Sequence, residues 1–104
     1  MNYKLIVYVP DAQLEAVKSA LFAAGAGVLG GYAQCAWQVL GRGQFCPQAG
    51  SNPTLGERGR LEYVDEWRLE VLVPQARAAA VKRALLAAHP YEEPAFEFLP
   101  VVDI

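Results

Sequence analysis

A twenty-residue unit occurs twice in this chain. Leu5-Ile6-Val7-Tyr8-Val9-Pro10 leads into Asp11-Ala12, Ala16-Val17-Lys18, Ala20-Leu21 and Ala23-Ala24. Leu69-Glu70-Val71-Leu72-Val73-Pro74 leads into Gln75-Ala76, Ala80-Val81-Lys82, Ala84-Leu85 and Ala87-Ala88. Between Leu5–Ala24 and Leu69–Ala88, 12 of 20 positions are identical without a gap. A strand followed by a helix is therefore used twice, which narrows the architecture sharply. The repeat fixes no chemistry.

Each unit has the pattern its element requires. Tyr3–Val9 is a short β-branched run, predicting a buried strand, and Pro10-Asp11 suits a helix start. Across Asp11–Ala24, Leu14, Val17, Leu21 and Ala24 form one helical stripe, which Gly25 and Gly27 end. Tyr32–Leu40 reads as the second strand, with Ala33, Cys35, Trp37 and Val39 on one face. Arg60–Val73 reads as the third. Gln75–Ala88 is the second helix, its stripe being Ala78, Val81, Leu85 and Ala88. His89-Pro90 stops it, because a residue before proline avoids the α region. Ala95–Val102 is the fourth strand, with Phe96 and Phe98 on one face.

The order is βαββαβ, an α+β ferredoxin-like sandwich with two helices on one face of a four-stranded antiparallel sheet. At 104 residues it makes a single domain, residues 1–104. Leu5/Leu69, Val7/Val71 and Val9/Val73 should face the helices. The open face should carry Lys4/Arg68, Ile6/Glu70 and Tyr8/Leu72, with Tyr32, Gln34, Ala36 and Gln38. A face of that mixed character points to self-association.

Charge and composition exclude several classes. The net charge is −2 and the nine basic residues are scattered, so no phosphate-binding stripe exists and no nucleic-acid partner is expected. No apolar run reaches the roughly 18 residues of a membrane span, and no secretory leader precedes the first strand, so no membrane partner and a cytoplasmic location are expected. Cys35 and Cys46 lack metal-site spacing and read as free thiols in a reducing compartment.

Two segments stand out as candidate sites. Gly41–Gly59 is Gly/Pro-rich and long for a connection inside so small a domain, which points to a functional or mobile loop. Within it Arg42 and Arg58 read as anion hooks, with Phe45 and Leu55 as apolar contacts. No nucleotide-binding fingerprint follows, since Gly41-x-Gly43 precedes no helix. His89-Pro90-Tyr91-Glu92-Glu93-Pro94 sets the only histidine beside two carboxylates. His89 with Glu92 or Glu93 suggests a metal ligand set or a proton shuttle; a cationic imidazole favourably placed at a helix C-terminus explains the same residues structurally. One histidine is thin for a transition metal, so no cofactor is assigned. Glu62, Glu66 and Glu70 share a strand face about 13 Å apart at roughly 3.3 Å per residue, too far for one mononuclear metal, and read as a charge row.

Gly43-Gln44-Phe45-Cys46-Pro47, Gly50-Ser51-Asn52-Pro53-x-x-Gly56 and Glu66-x-Arg68-Leu69-Glu70, with His89-Pro90-Tyr91-Glu92-Glu93-Pro94-Ala95, carry a family resemblance. The chain resembles the middle domain inserted in YqfO-type members of the Nif-three-like family, sometimes labelled GTP cyclohydrolase 1 type 2 homologs, across about Tyr3 to Val102. Domains flanking that insert hold histidine and acidic ligands for two metal ions. Those ligands have no matching positions here, and none is carried over. The insert is similar in fold to the PII signalling proteins and CutA, which implies a PII/CutA-like domain, a homotrimer and a small-molecule or regulatory role.

The expectation is a non-enzymatic oligomeric binding or regulatory module with a small-molecule or protein partner, using Arg42, Phe45, Arg58, His89, Tyr91, Glu92 and Glu93. The alternatives are a metal-binding protein using His89 and Glu92/Glu93 near a subunit interface, and an enzyme with a thiol or carboxylate at a subunit cleft.

Overall fold

Both copies of the repeat turn the chain in the same way. In the computed structural model, which describes residues 1–104, Pro10 (φ −60°, ψ 150°) and Pro74 (φ −61°, ψ 141°) end a strand in almost the same conformation. Each opens a single 3₁₀ turn, Asp11–Gln13 or Gln75–Arg77, before the α-helix proper. The strands are β1 (Asn2–Pro10), β2 (Trp37–Phe45), β3 (Glu62–Pro74) and β4 (Phe96–Val101); the helices are α1 (Leu14–Ala23) and α2 (Ala78–Ala88). The sheet order is β2-β3-β1-β4 and every neighbouring pair is antiparallel. This is the ferredoxin-like sandwich.

The central pair is symmetric. Leu5 pairs with Val71 and Val7 with Leu69, and Ile6 sits opposite its own counterpart, Glu70. Exchanging each residue for its partner in the other copy leaves this register unchanged. Leu5, Val7, Val9, Leu69, Val71 and Val73 then all face the helices. They pack against Leu14, Val17 and Leu21 of α1 and Val81 and Leu85 of α2, which is the apolar stripe each helix repeats. No helix is long and apolar enough to cross a membrane.

The second strand departs from expectation. It starts at Trp37, not Tyr32, and runs through Gly41 and Gly43 to Phe45. The predicted loop therefore loses its first five residues to the sheet. Local propensity disfavours glycine in a strand, but β3 is 13 residues long and offers a pairing edge that overrides it. Tyr32–Ala36 lies outside any strand. Gly25 (φ 109°) and Gly27 (φ 82°) coil the chain, and the Cys35 amide donates to Gly27 O at 2.8 Å.

The face assignment of β2 also reverses. Trp37 and Val39 pair with Glu70 and Arg68 and so lie on the open face. Gln38 points to the helix side, where Lys18 Nζ donates to its Oε1 at 3.0 Å. The open face is drier at its centre than predicted. Ile6 is only 4% exposed. Around it, Lys4 and Arg68 both pair with Glu70 (3.5 and 3.1 Å), and Arg68 Nη1 donates to the Tyr8 hydroxyl at 3.4 Å. The apolar residues left in water on this face are Trp37 (60% exposed), Val39, Leu99 and Val101.

Candidate functional site

The two segments singled out from sequence meet. After β2 the chain runs through residues 46–61 to β3, and this loop folds onto the 89–95 turn that follows α2. The loop is organised by its own bonds: Ser51 Oγ donates to Gln48 O (2.7 Å), and Arg58 Nε donates to Ser51 O (2.6 Å). The Gly59 amide closes its base on Pro47 O at 2.6 Å, and Pro47 is buried. It is then tied across to the turn. The Asn52 amide donates to both carboxylate oxygens of Glu92 (3.1 and 3.2 Å), and Thr54 Oγ1 donates to Pro90 O (2.9 Å).

Between them lies a cleft of about 260 Å³. Tyr8 and Glu66 approach it from the sheet, with Phe45 at the end of β2. Cys46, Pro47, Pro53, Thr54 and Leu55 form the loop wall, and Tyr91, Glu92 and Glu93 the turn wall. Phe45 and Tyr91 meet with ring centroids 6.1 Å apart. Glu66 pairs with Gly41 and its side chain reaches the site diagonally over Gly43, where a methyl would collide with the Glu66 carboxylate.

His89 supports this site without lining it. It is 6% exposed. The Tyr91 amide donates to its Nδ1 at 3.2 Å, so Nδ1 is unprotonated. Nε2 therefore carries the proton and donates to Tyr8 O at 2.7 Å. Burial lowers its pKa below the usual 6.5, despite opposing contributions from the Tyr8 carbonyl and the Glu66 carboxylate. This corrects the expectation of a cationic imidazole: His89 is a neutral clamp joining the end of α2 to β1. With both nitrogens engaged, it has none to offer a metal within the chain. No three His, Cys, Asp or Glu side chains lie close enough to share an ion.

Of the residues marked from sequence, Phe45, Tyr91, Glu92 and Glu93 line the cleft. Arg42 and Arg58 do not. Arg42 stacks on the Tyr63 ring with its guanidinium carbon 4.0 Å from the centroid, and Arg58 is spent on the loop backbone. Neither therefore reaches this cleft, which no Lys, Arg or His borders. Tyr8 and Glu66, which sequence places only on the open face and in a charge row, also border the cleft. The available signal for Glu66 was a glycine on the neighbouring strand, which is legible only once the register is known. The Tyr91 hydroxyl is buried with no partner in hydrogen-bonding geometry. Burial raises its pKa, and the nearby Glu66 carboxylate raises it further. Both cysteines are free thiols, Cys46 at the exposed edge of the cleft.

No protein-family model matches the chain. It is 48% identical over 99 residues to a GTP cyclohydrolase 1 type 2 homolog of Mycobacterium leprae, covering 95% of this chain and 26% of that protein. A homolog of the same name from Bacillus subtilis is 47% identical over 98 residues, with 94% and 26% covered. The chain thus spans about a quarter of the length of the curated relatives it matches. Among solved structures, a Bacillus cereus protein related to NIF3 superimposes with a TM-score of 0.85 at 38% identity, covering 98% of this chain and 26% of that one. CutA1 from Pyrococcus horikoshii superimposes at 0.71 over 100% of this chain and 86% of its own; at 19% identity this likeness concerns the fold alone.

Proposed function

We propose that this chain is a non-enzymatic binding or regulatory module that works as a homo-oligomer, a trimer, in the cytoplasm. Its ligand enters the cleft between the 46–61 loop and the 89–95 turn. The observation that carries this reading is the convergence of the two motif segments, 40 residues apart, through the Asn52–Glu92 bonds. A loop tied down over a cleft is built to hold something. At about 260 Å³ the cleft lies just under the usual range for small-molecule pockets, roughly 300–1,000 Å³.

The name of the curated relatives refers to a reaction on GTP. The cleft speaks against that activity residing in this segment, because three glutamates and no basic side chain would repel a triphosphate. A thiol enzyme is equally unsupported: Cys46 has no imidazole to activate it, since His89 is committed elsewhere. Assembly is supported by the apolar rim Trp37, Val39, Leu99 and Val101 on the open face. Apolar burial contributes roughly 25 cal/mol per Å². Three-fold symmetry rests on the resemblance to PII and CutA proteins.

Two measurements test the proposal. Sedimentation should give a trimer that Trp37→Glu dissociates; a monomer at micromolar concentration removes the assembly. Amide-shift mapping against a mixed library of amines, acids and neutral metabolites should move residues 45–55 and 91–95 together. A library in which no compound does so removes the binding module.

A further inference from the structure

The geometry points to a small organic cation, an amine or guanidinium on an apolar body, as the ligand of the cleft between the 46–61 loop and the 89–95 turn. This rests on the binding-module reading and specifies its ligand class. The cleft walls contain three carboxylates and no basic residue. Glu92 is already committed to the Asn52 amide, which leaves Glu66 and Glu93, and neither forms an ion pair within the chain. Glu66 is only partly exposed, and its carboxylate lies over Gly43 at the cleft without a cationic partner.

The remaining lining chooses the kind of cation. Tyr8, Phe45 and Tyr91 present aromatic surface, which attracts ammonium and guanidinium groups and packs against an apolar body. The Tyr91 hydroxyl is buried beside the Glu66 carboxylate, so the two together offer acceptor oxygens to a ligand N–H. A bare metal ion fits less well. No three acidic or soft side chains converge on one point, so the negative charge is spread along the walls and suits a cation with size and several donors.

Three isosteric probes separate charge from shape: phenethylamine, 2-phenylethanol and phenylacetate, titrated into the full chain near neutral pH and followed by amide shifts. Phenethylamine should move Phe45, Cys46 and Tyr91–Glu93. The alcohol should bind roughly tenfold more weakly, the worth of one charged hydrogen bond, and phenylacetate should not bind. Glu66→Gln should weaken the amine by about the same roughly tenfold factor while leaving the alcohol unchanged. Glu93→Gln repeats the measurement if the first variant does not fold. Phenylacetate binding as well as the amine overturns the cation yet preserves a binding site. Silence from all three probes, shifts outside the cleft, or Mg²⁺ or Cu²⁺ alone producing the same shifts and excluding the amine each overturn it too.

Discussion

The two helices begin alike and end differently. Past α1, Ala24 stays helical, Gly25 takes φ 109°, and the Ala26 amide bonds back to Leu21 O at 3.0 Å. A Cβ at Gly25 would run into the Arg77 side chain, whose Nε donates to Ala24 O at 3.1 Å. The chain then passes along the surface through Val28–Ala36, exposed at every position but Cys35. Past α2, His89 is extended (φ −72°, ψ 136°), as the following proline requires, and its ring is buried against Tyr8. One exit is a glycine turn into solvent. The other is a buried clamp from which Tyr91, Glu92 and Glu93 are presented to a second loop. The repeated unit supplies a scaffold twice; the difference between a glycine stop and a His-Pro stop places the candidate site at only one of the two exits.

That contrast is broken most directly at the clamp. His89→Ala removes the donor to Tyr8 O and the acceptor for the Tyr91 amide, leaving both groups unpaired beside a cavity. The cost should be roughly 2–4 kcal/mol. Arg77→Ala at the other exit loses one exposed side-chain bond and should cost below about 1 kcal/mol. Urea unfolding of the two variants decides; equal losses would mean the exits are energetically equivalent.

The same imidazole gives a pH dependence of known sign. Its folded pKa lies below the 6.5 of an unfolded chain. Between those two values the unfolded state binds more protons, so stability rises with pH there. His89 thus contributes its full stabilisation above about pH 6.5, loses it as pH falls toward the folded pKa, and contributes no further change below. Unfolding midpoints of wild type and His89→Gln measured through this range should diverge above about pH 6.5 and approach each other in acid. Parallel curves would show that the imidazole is not buried neutral.

Gly43→Ala probes the reach of β3 into the cleft. The new methyl displaces the end of a flexible carboxylate while improving strand propensity, so stability should change by no more than about 1 kcal/mol. Glu66 should nonetheless leave the cleft, and phenethylamine binding should fall as it does in Glu66→Gln. Unchanged binding would sink the role given to Glu66.

The fold was legible because each level of pattern agreed. Two-residue alternation was not needed to find β1 and β3: the repeat of Leu5-x-Val7-x-Val9 as Leu69-x-Val71-x-Val73 named the core face directly. β2 has no counterpart in the repeat, and its glycines at 41 and 43 read as a loop until β3 is there to pair with them. Because side chains alternate along a strand, an error of one residue in placing β2 against its neighbour reverses its faces, which is what befell Trp37 and Gln38. For the site, sequence marked both walls by their unusual residues. It missed what only distance decides: that Arg42 stacks on Tyr63, that Glu66 crosses Gly43, and that His89 has both nitrogens occupied.

The smallest expected effect is the most local. The 46–61 loop is held to the 89–95 turn by Glu92, whose two oxygens share the Asn52 amide, and by Thr54 on Pro90 O. These groups are exposed, so water competes and each bond is worth about 1 kcal/mol. Hydrogen exchange should therefore show the Asn52 amide protected several-fold relative to Gly31, which has no such partner at the other exit. Glu92→Gln keeps the shape and one acceptor oxygen but loses the charge, so protection at Asn52 should fall by a factor of about 5, the equivalent of roughly 1 kcal/mol. The Gly59 amide, bonded to Pro47 O at the base of the loop, should keep its protection. If Asn52 and Gly59 lose protection together, the loop opens as one body and Glu92 is its latch. If neither changes, the loop is held by its own internal bonds, and the two helix exits differ in shape without differing in local stability.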